Sequence, residues 1–157
     1  VGKHSSNIFG SHHAEDAASL FNTLQIDLNL FSSAMKVPSQ YMHVVWFQLR
    51  VKTPTTFDKF IEKLEKNPLV ALTEKDMTST VFSFGRDHGH FGRILNQTVV
   101  AVQTLNVRKN SEITGFCFTP QDGNSLLSSI AATEWFMYPR SYKDKIECLS
   151  KFYYDWI

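Results

Sequence analysis

The chain has 157 residues, of which 43% are hydrophobic and 13% aromatic, with thirteen Phe. That length and apolar content predict one globular domain with its own core and exclude a disordered chain. A net charge of +1 gives no electrostatic reason to expect a nucleic-acid or membrane-surface partner, and no apolar run is long enough to predict a membrane span.

Near the start, Ser11 stands where it can cap a helix running to about Leu24. Glu15 and Asp16 fall in its first turn, where the positive end of the helix dipole favours carboxylates, and Ala17, Leu20 and Phe21 form its apolar stripe. LQIDLNL (24–30) then alternates, with Leu24, Ile26, Leu28 and Leu30 on one side and Gln25, Asp27 and Asn29 on the other, which predicts a half-buried strand. YMHVVWFQLRV (41–51) predicts a second strand from its β-branched and aromatic residues, with Pro38 limiting continuity between the two. PTTFDKFIEKLEKNP (54–68) is the clearest helix: Phe57, Phe60, Ile61 and Leu64 recur at helical spacing, Pro54 and Thr55 start it, and Asn67-Pro68 stops it.

LVALT is a short predicted strand, and GRDHGHFGR (85–93) reads as a glycine-rich loop. NQTVVAVQTLNV (96–107) and EITGFCFT (112–119) predict a hairpin joined around RKNS. A helix follows with Leu126, Leu127, Ile130 and Ala131 facing inward, and the tail from about Ser141 sets Ile146, Leu149, Phe152, Tyr153 and Trp156 on one apolar face. No repeat, linker or low-complexity tract interrupts the chain. The order α-β-β-α-β-β-β-α-α predicts a single α+β domain over 1–157: a mixed, mainly antiparallel sheet with helices packed on one face.

Two stretches carry candidate chemistry. In SHHAED (11–16), His12 and His13 are adjacent, so on a helix they point about 100° apart and do not chelate one metal well. Zinc-binding helices use i, i+4 spacing instead. The residues leave two readings open: solvated histidines on a capped helix, and an anion site where the helix-start N–H groups and a histidine meet a phosphate. In RDHGHFGR, Arg86, His88, His90 and Arg93 form a basic cluster on glycines, suited either to an oxyanion or simply to solvent; a metal shared by His88 and His90 is a further reading, with no carboxylate or thiol ligand at suggestive spacing beyond Asp87. His43, inside an apolar strand, is read first as a hydrogen-bonded core or interface residue and second as a general base. Cys117 and Cys148 lie far apart, form no CxxC pair and have no nearby base, so both are expected to be buried thiols in a reducing compartment. No catalytic residue, metal site or cofactor site is predicted, there being no GxGxxG after a strand and no Walker loop. The missing charged-then-apolar leader makes a cytoplasmic location the expectation.

Several of these stretches, in this order, resemble the C-terminal half of the archaeal (type II) phosphorylating glyceraldehyde-3-phosphate dehydrogenases. They are SHHAED (11–16), MKVPSQYMHV (35–44), LEKNPLVAL (64–72), the Arg-Asp and Gly-Arg loop at 86–93, and TPQDGNSLLSSIAAT (119–133). The resemblance implies an α+β substrate and assembly domain without its dinucleotide-binding half, and paired histidines, here His12 and His13, that contact a phosphorylated substrate. Arg86 and Arg93 are added as candidates for the same vestigial or retained anion site. The departures are as informative. The family's Cys-Asn-Thr-Thr segment has no counterpart here, its Met-His-x-His strand motif reads Met42-His43-Val44-Val45, and its His-Gln-Glu-Ser loop is missing before Phe118-Thr119-Pro120.

These departures lead to the expectation of a diverged pseudoenzyme: a non-catalytic structural or regulatory subunit working through a protein partner or as a homo-oligomer. One half of a split dehydrogenase, or a binder of a phosphorylated metabolite, are the alternatives.

Overall fold

A computed structural model describes residues 8–34, 42–95, 97–120 and 126–157. The chain divides into two compact units, Val1–Pro38 and Ser39–Ile157.

In the first unit, α1 spans His12–Asn22, close to the predicted helix. Ser11 holds the extended N-cap conformation, but its hydroxyl bonds to that of Ser32 rather than capping the helix. The helix ends where Gln25 turns left-handed (φ 58°) and the Ile26 N–H donates to the Phe21 carbonyl (3.2 Å). The predicted strand over 24–30 does not form: the alternation is present, but a strand also needs a neighbour, and among the described residues none pairs with this segment. Leu24 and Ile26 are accordingly exposed.

The second unit carries a mixed, mainly antiparallel sheet, so the α+β class is observed. Its strands are β1 (Met42–Arg50), β2 (Val70–Thr73), β3 (Thr98–Ala101), β4 (Asn106–Arg108) and β5 (Glu112–Pro120). Their order is β1-β5-β3-β2, with β4 beside β5. β1 runs antiparallel to β5 along its whole length, from Met42 opposite Pro120 to Arg50 opposite Glu112. β2 and β3 are parallel, and the crossover between them carries α3 (Thr78–His88). β4 and β5 form the predicted hairpin, turned by Lys109 and Asn110, both left-handed (φ 49° and 53°).

The strand predicted over 96–107 is broken at a 3₁₀ turn, Val102–Thr104. There the Thr104 hydroxyl donates to the Ala101 carbonyl (2.7 Å) and accepts the Phe116 N–H (2.9 Å), standing in for the missing ladder bond.

Buried side chains alternate to both faces of β2, β3 and β5, and helices cover both. On one face Ala71, Val99, Ala101 and Phe118 pack with Val81, Phe82 and Phe84 of α3. On the other, Leu72, Val100 and Cys117 pack with Phe60, Ile61 and Leu64 of α2 (Phe57–Glu65). Cover on one face only, as the sequence predicted, would have left one of these rows in water. α2 begins as predicted near its Pro-Thr entry, with the Thr56 side chain accepting the Lys59 N–H (3.4 Å).

The remaining helices are α4 (Leu126–Met137) and α5 (Tyr142–Ile146), and the two pack together. In α4 only Leu127 is fully buried; Leu126 and Ile130, predicted inward, are exposed, because its apolar residues run round the helix rather than along one stripe. The tail is not one amphipathic helix. After a 3₁₀ segment, Glu147–Phe152, it extends, and residues 154–157 lie along the outer edge of β2. The Leu72 N–H donates to the Asp155 carbonyl and the Ile157 N–H to the Leu72 carbonyl, both at 2.9 Å, while the Thr73 hydroxyl donates to the Ile157 carbonyl (2.8 Å). Ile157 is thereby buried in the core, and Trp156 faces solvent.

Candidate functional site

The candidate residues fall in both units, and each group is described within its own. At the start of α1, His12 and His13 are exposed and their ring centroids lie 3.9 Å apart, with the ring planes tilted by 42°. That spacing presents two neighbouring imidazoles at the positive end of a helix whose N-cap side chain is turned elsewhere. Chemically the arrangement offers hydrogen-bond donors and acceptors.

The predicted glycine-rich loop is different. Residues 85–88 are the last turn of α3, and only 89–93 form a turn, with Phe91 and Gly92 left-handed (φ 56° and 69°). The helix persists through Gly85 because Val81 is fully buried and Gly85 lies against Ile94, so tertiary burial outweighs weak helix propensity. Arg86 is exposed but paired: its Nε and one terminal nitrogen donate to the two carboxylate oxygens of Asp87 at 2.7 and 2.9 Å. That hydrogen bond holds the Asp87 carboxyl below the usual carboxylate range and raises the guanidinium. Arg93 is exposed at the end of the turn, its N–H bonded to the His90 carbonyl (3.1 Å).

His88 and His90 stand among aromatic rings rather than around a common centre. His88 lies 5.2 Å from Phe84, and His90 lies 5.0 Å from Phe152 and 5.8 Å from Tyr154, centroid to centroid. The Tyr154 hydroxyl donates to the His88 carbonyl (2.7 Å), tying the end of α3 to the tail. Sequence reasoning missed this cluster because its partners lie more than sixty residues apart. His43 is exposed on β1 rather than in the core. Among the described residues, no three His, Cys, Asp or Glu side chains are grouped closely enough to hold a metal ion, and no helix is long and apolar enough to cross a membrane.

The two thiols differ. Cys117 is buried in the sheet, and desolvation pushes its pKa up to about 11, so it is a protonated, weakly nucleophilic thiol at neutral pH. Cys148 is exposed, against the expectation that both would be buried, because its 3₁₀ segment lies at the surface. An aromatic disulfide reagent at pH 8 should therefore label one thiol rapidly in the native protein and two in denaturant; rapid labelling of both would show that Cys117 is accessible. The linkage has a sign. A thiol whose pKa is raised by folding stabilises the fold fully below its ordinary value, near 9, and that contribution is lost as pH rises through about 11.

A shallow hollow of about 240 Å³ on α4 is lined by Leu126, Ser129, Ile130, Thr133 and Glu134. No family model matches this chain. Curated proteins do match over part of it.

The chain is similar in part to glyceraldehyde-3-phosphate dehydrogenases. The enzyme of that name from Methanocaldococcus jannaschii is 27% identical over 104 residues, which is 64% of this chain and 30% of the relative. The Metallosphaera sedula protein is 29% identical over the same length (64% and 29%), and that of Pyrococcus furiosus 30% (64% and 30%). The chain thus spans less than a third of the length of these archaeal relatives. The match is compatible with a partial domain, and the mixed sheet flanked by helices agrees with the fold that the sequence motifs implied.

Proposed function

We propose that this chain is a non-catalytic structural or regulatory protein, built on a diverged C-terminal domain of the type II glyceraldehyde-3-phosphate dehydrogenase kind and acting in the cytoplasm through protein–protein contact. The observation that carries this reading is the apolar surface left on the sheet. Val44, Trp46 and Phe116 are exposed on the face that α3 covers elsewhere, and Val45 and Leu49 on the opposite face. Trp46 is 55% exposed and stands directly opposite Phe116, itself 42% exposed, so two large rings meet water side by side. Such a surface favours a covering partner. The cysteine within the sheet is a protonated thiol, which suits a structural role better than nucleophilic attack.

The partial match favours a second reading, half of a split dehydrogenase whose other chain supplies the cofactor domain and the nucleophile. Purifying the chain from its own cells at low salt, followed by mass spectrometry and an assay of nicotinamide-dependent glyceraldehyde-3-phosphate oxidation, separates the two. The first reading expects a partner without dehydrogenase activity, or activity indifferent to removal of this chain. A co-purifying polypeptide with a GxGxxG strand–helix unit and a Cys-Asn-Thr-Thr segment, active only with this chain present, establishes the second.

Binding of a phosphorylated metabolite at His12 and His13 is the third reading. It expects heat of binding for glyceraldehyde-3-phosphate or inorganic phosphate that disappears in the His12→Ala, His13→Ala double variant.

A further inference from the structure

The two edges of the sheet are treated differently. The β2 edge is closed by the chain's own tail, which supplies a parallel bridge at Trp156 and buries Ile157. At the other edge, β1 pairs with β5 and, among the described residues, with no further strand. Natural sheets protect a bare edge with charge, proline, a bulge or a short strand. β1 has none of these inside it: its nine residues, MHVVWFQLR, pair without a bulge and carry one formal charge, Arg50, at the very end.

The backbone polarity of that edge can be assigned. The Phe116 N–H points away from β1, to the Thr104 hydroxyl, and the Val51 N–H points toward β5's side, to the Ser111 carbonyl (2.9 Å). In an antiparallel ladder the two sets alternate. Odd-numbered residues of β1 therefore bond to β5, and the N–H and C=O groups of Val44, Trp46 and Gln48 point outward.

We infer that β1 is a self-recognition edge, on which a second copy of this chain adds its own β1 antiparallel to continue the sheet across a two-fold axis near Trp46. The inference rests on the reading that the chain works through protein contact, and it assigns a second copy to the strand edge, leaving the Trp46–Phe116 face free for another partner. With the axis at Trp46, Val44 lies opposite Gln48 of the second copy, Val45 opposite Phe47, and Trp46 opposite itself. Residues paired in this way share a face, so apolar side chains meet apolar or neutral ones at each interior position. The outward N–H and C=O groups of Trp46 bond reciprocally with those of its counterpart, as in a hydrogen-bonded antiparallel pair. The charges also agree: antiparallel pairing sends the two Arg50 side chains to opposite ends of the ladder, about 27 Å apart at 3.4 Å per residue, so no like charges meet. A second copy is thus compatible along the whole strand.

Light scattering on the eluting full chain between 1 and 100 µM tests this. The expected result is a mass twice the 18.0 kDa of the chain, dissociating on dilution. Val44→Pro and Gln48→Pro each remove an outward N–H without touching a bond to β5, so each should give a monomer with an unchanged circular-dichroism spectrum. Trp46→Lys and Trp46→Glu should each be monomeric alone and dimeric when mixed, because the two positions face each other. Phe116→Lys lies on β5, off the edge, and should stay dimeric. A wild-type monomer at 100 µM, a mass growing beyond two chains, dimers that survive both proline variants, or loss of the dimer in Phe116→Lys, which would signal stacking of sheet faces, each overturns the proposal. None of these outcomes bears on dehydrogenase activity in the co-purified complex, so this inference and the functional reading fail separately.

Discussion

Replacing Gln97 by Leu is expected to lower stability by about 3 kcal/mol and the melting temperature by about 10 °C, although the two side chains are similar in size. Gln97 is a fully buried amide, 1% exposed, at the junction of three chain segments. Its Nε2 donates to the Pro68 carbonyl (3.1 Å) and the Tyr154 carbonyl (2.8 Å), and its Oε1 accepts the Tyr154 N–H (2.8 Å). The entry to β2, the entry to β3 and the start of the tail strand are thus bonded to one side chain. Leucine fills the space and leaves these backbone groups without their partner, and an unsatisfied buried group costs roughly 1–3 kcal/mol. Tyr154→Phe is the control. It loses one hydroxyl bond, to the His88 carbonyl at a more exposed site, and should cost about 1 kcal/mol. Thermal and urea unfolding of the three proteins decides it: equal losses for the two variants would mean that the Gln97 clamp does not hold the tail.

The second large effect is expected at Gly89, just past the end of α3. Its φ of −77° is open to any residue, so the constraint is space and not conformation. A Cβ there would lie closer than real Cβ atoms come to the carbonyl oxygens of both Gly85 and Arg93, which are backbone atoms with no side-chain freedom to retreat. Gly89→Ala must therefore open either the Gly89 N–H bond to Gly85 (2.9 Å) or the tight turn that follows, and should cost about 3 kcal/mol. At Gly92 the situation is reversed. The nearest atom to an added Cβ is 3.7 Å away, but φ is +69°, so Gly92→Ala should cost only about 1 kcal/mol through backbone strain. Unfolding both variants in parallel tests crowding against conformation. A Gly92 variant as damaged as the Gly89 variant would contradict the assignment.

What was legible in the sequence follows the range of the interaction concerned. The start of α1 was readable from its first-turn carboxylate and the helix Phe57–Glu65 from its entry and apolar spacing, because such signals act within a turn or two. The β4–β5 hairpin was readable because Lys109 and Asn110 make a local turn. The alternation in 24–30 predicted a strand and failed, since ladder bonds need a second strand that no local pattern supplies. Residues 85–88 looked like a glycine-rich loop and are helical, because Val81 and Gly85 are held by packing against distant residues. For the candidate site, the adjacency of His12 and His13 was plain in the sequence. That Arg86 is occupied by Asp87, and that His88 and His90 face Phe84, Phe152 and Tyr154, was not. The motif blocks at 35–41 and 121–125 lie outside the described residues.

By itself, then, the sequence determined the α+β class, the short-range elements and the similarity to part of a dehydrogenase, all of which depend on residue identity and near-neighbour spacing. Only the tertiary structure decided which edge of the sheet is closed. The tail residues 154–157 and β2 are some eighty positions apart, and nothing in either stretch specifies the other until Gln97, Leu72 and Thr73 are brought alongside. The same holds at the opposite edge. Trp46 reads in the sequence as one more aromatic in a strand, and only the folded structure shows it exposed on a β1 that, among the described residues, has a strand neighbour on one side alone.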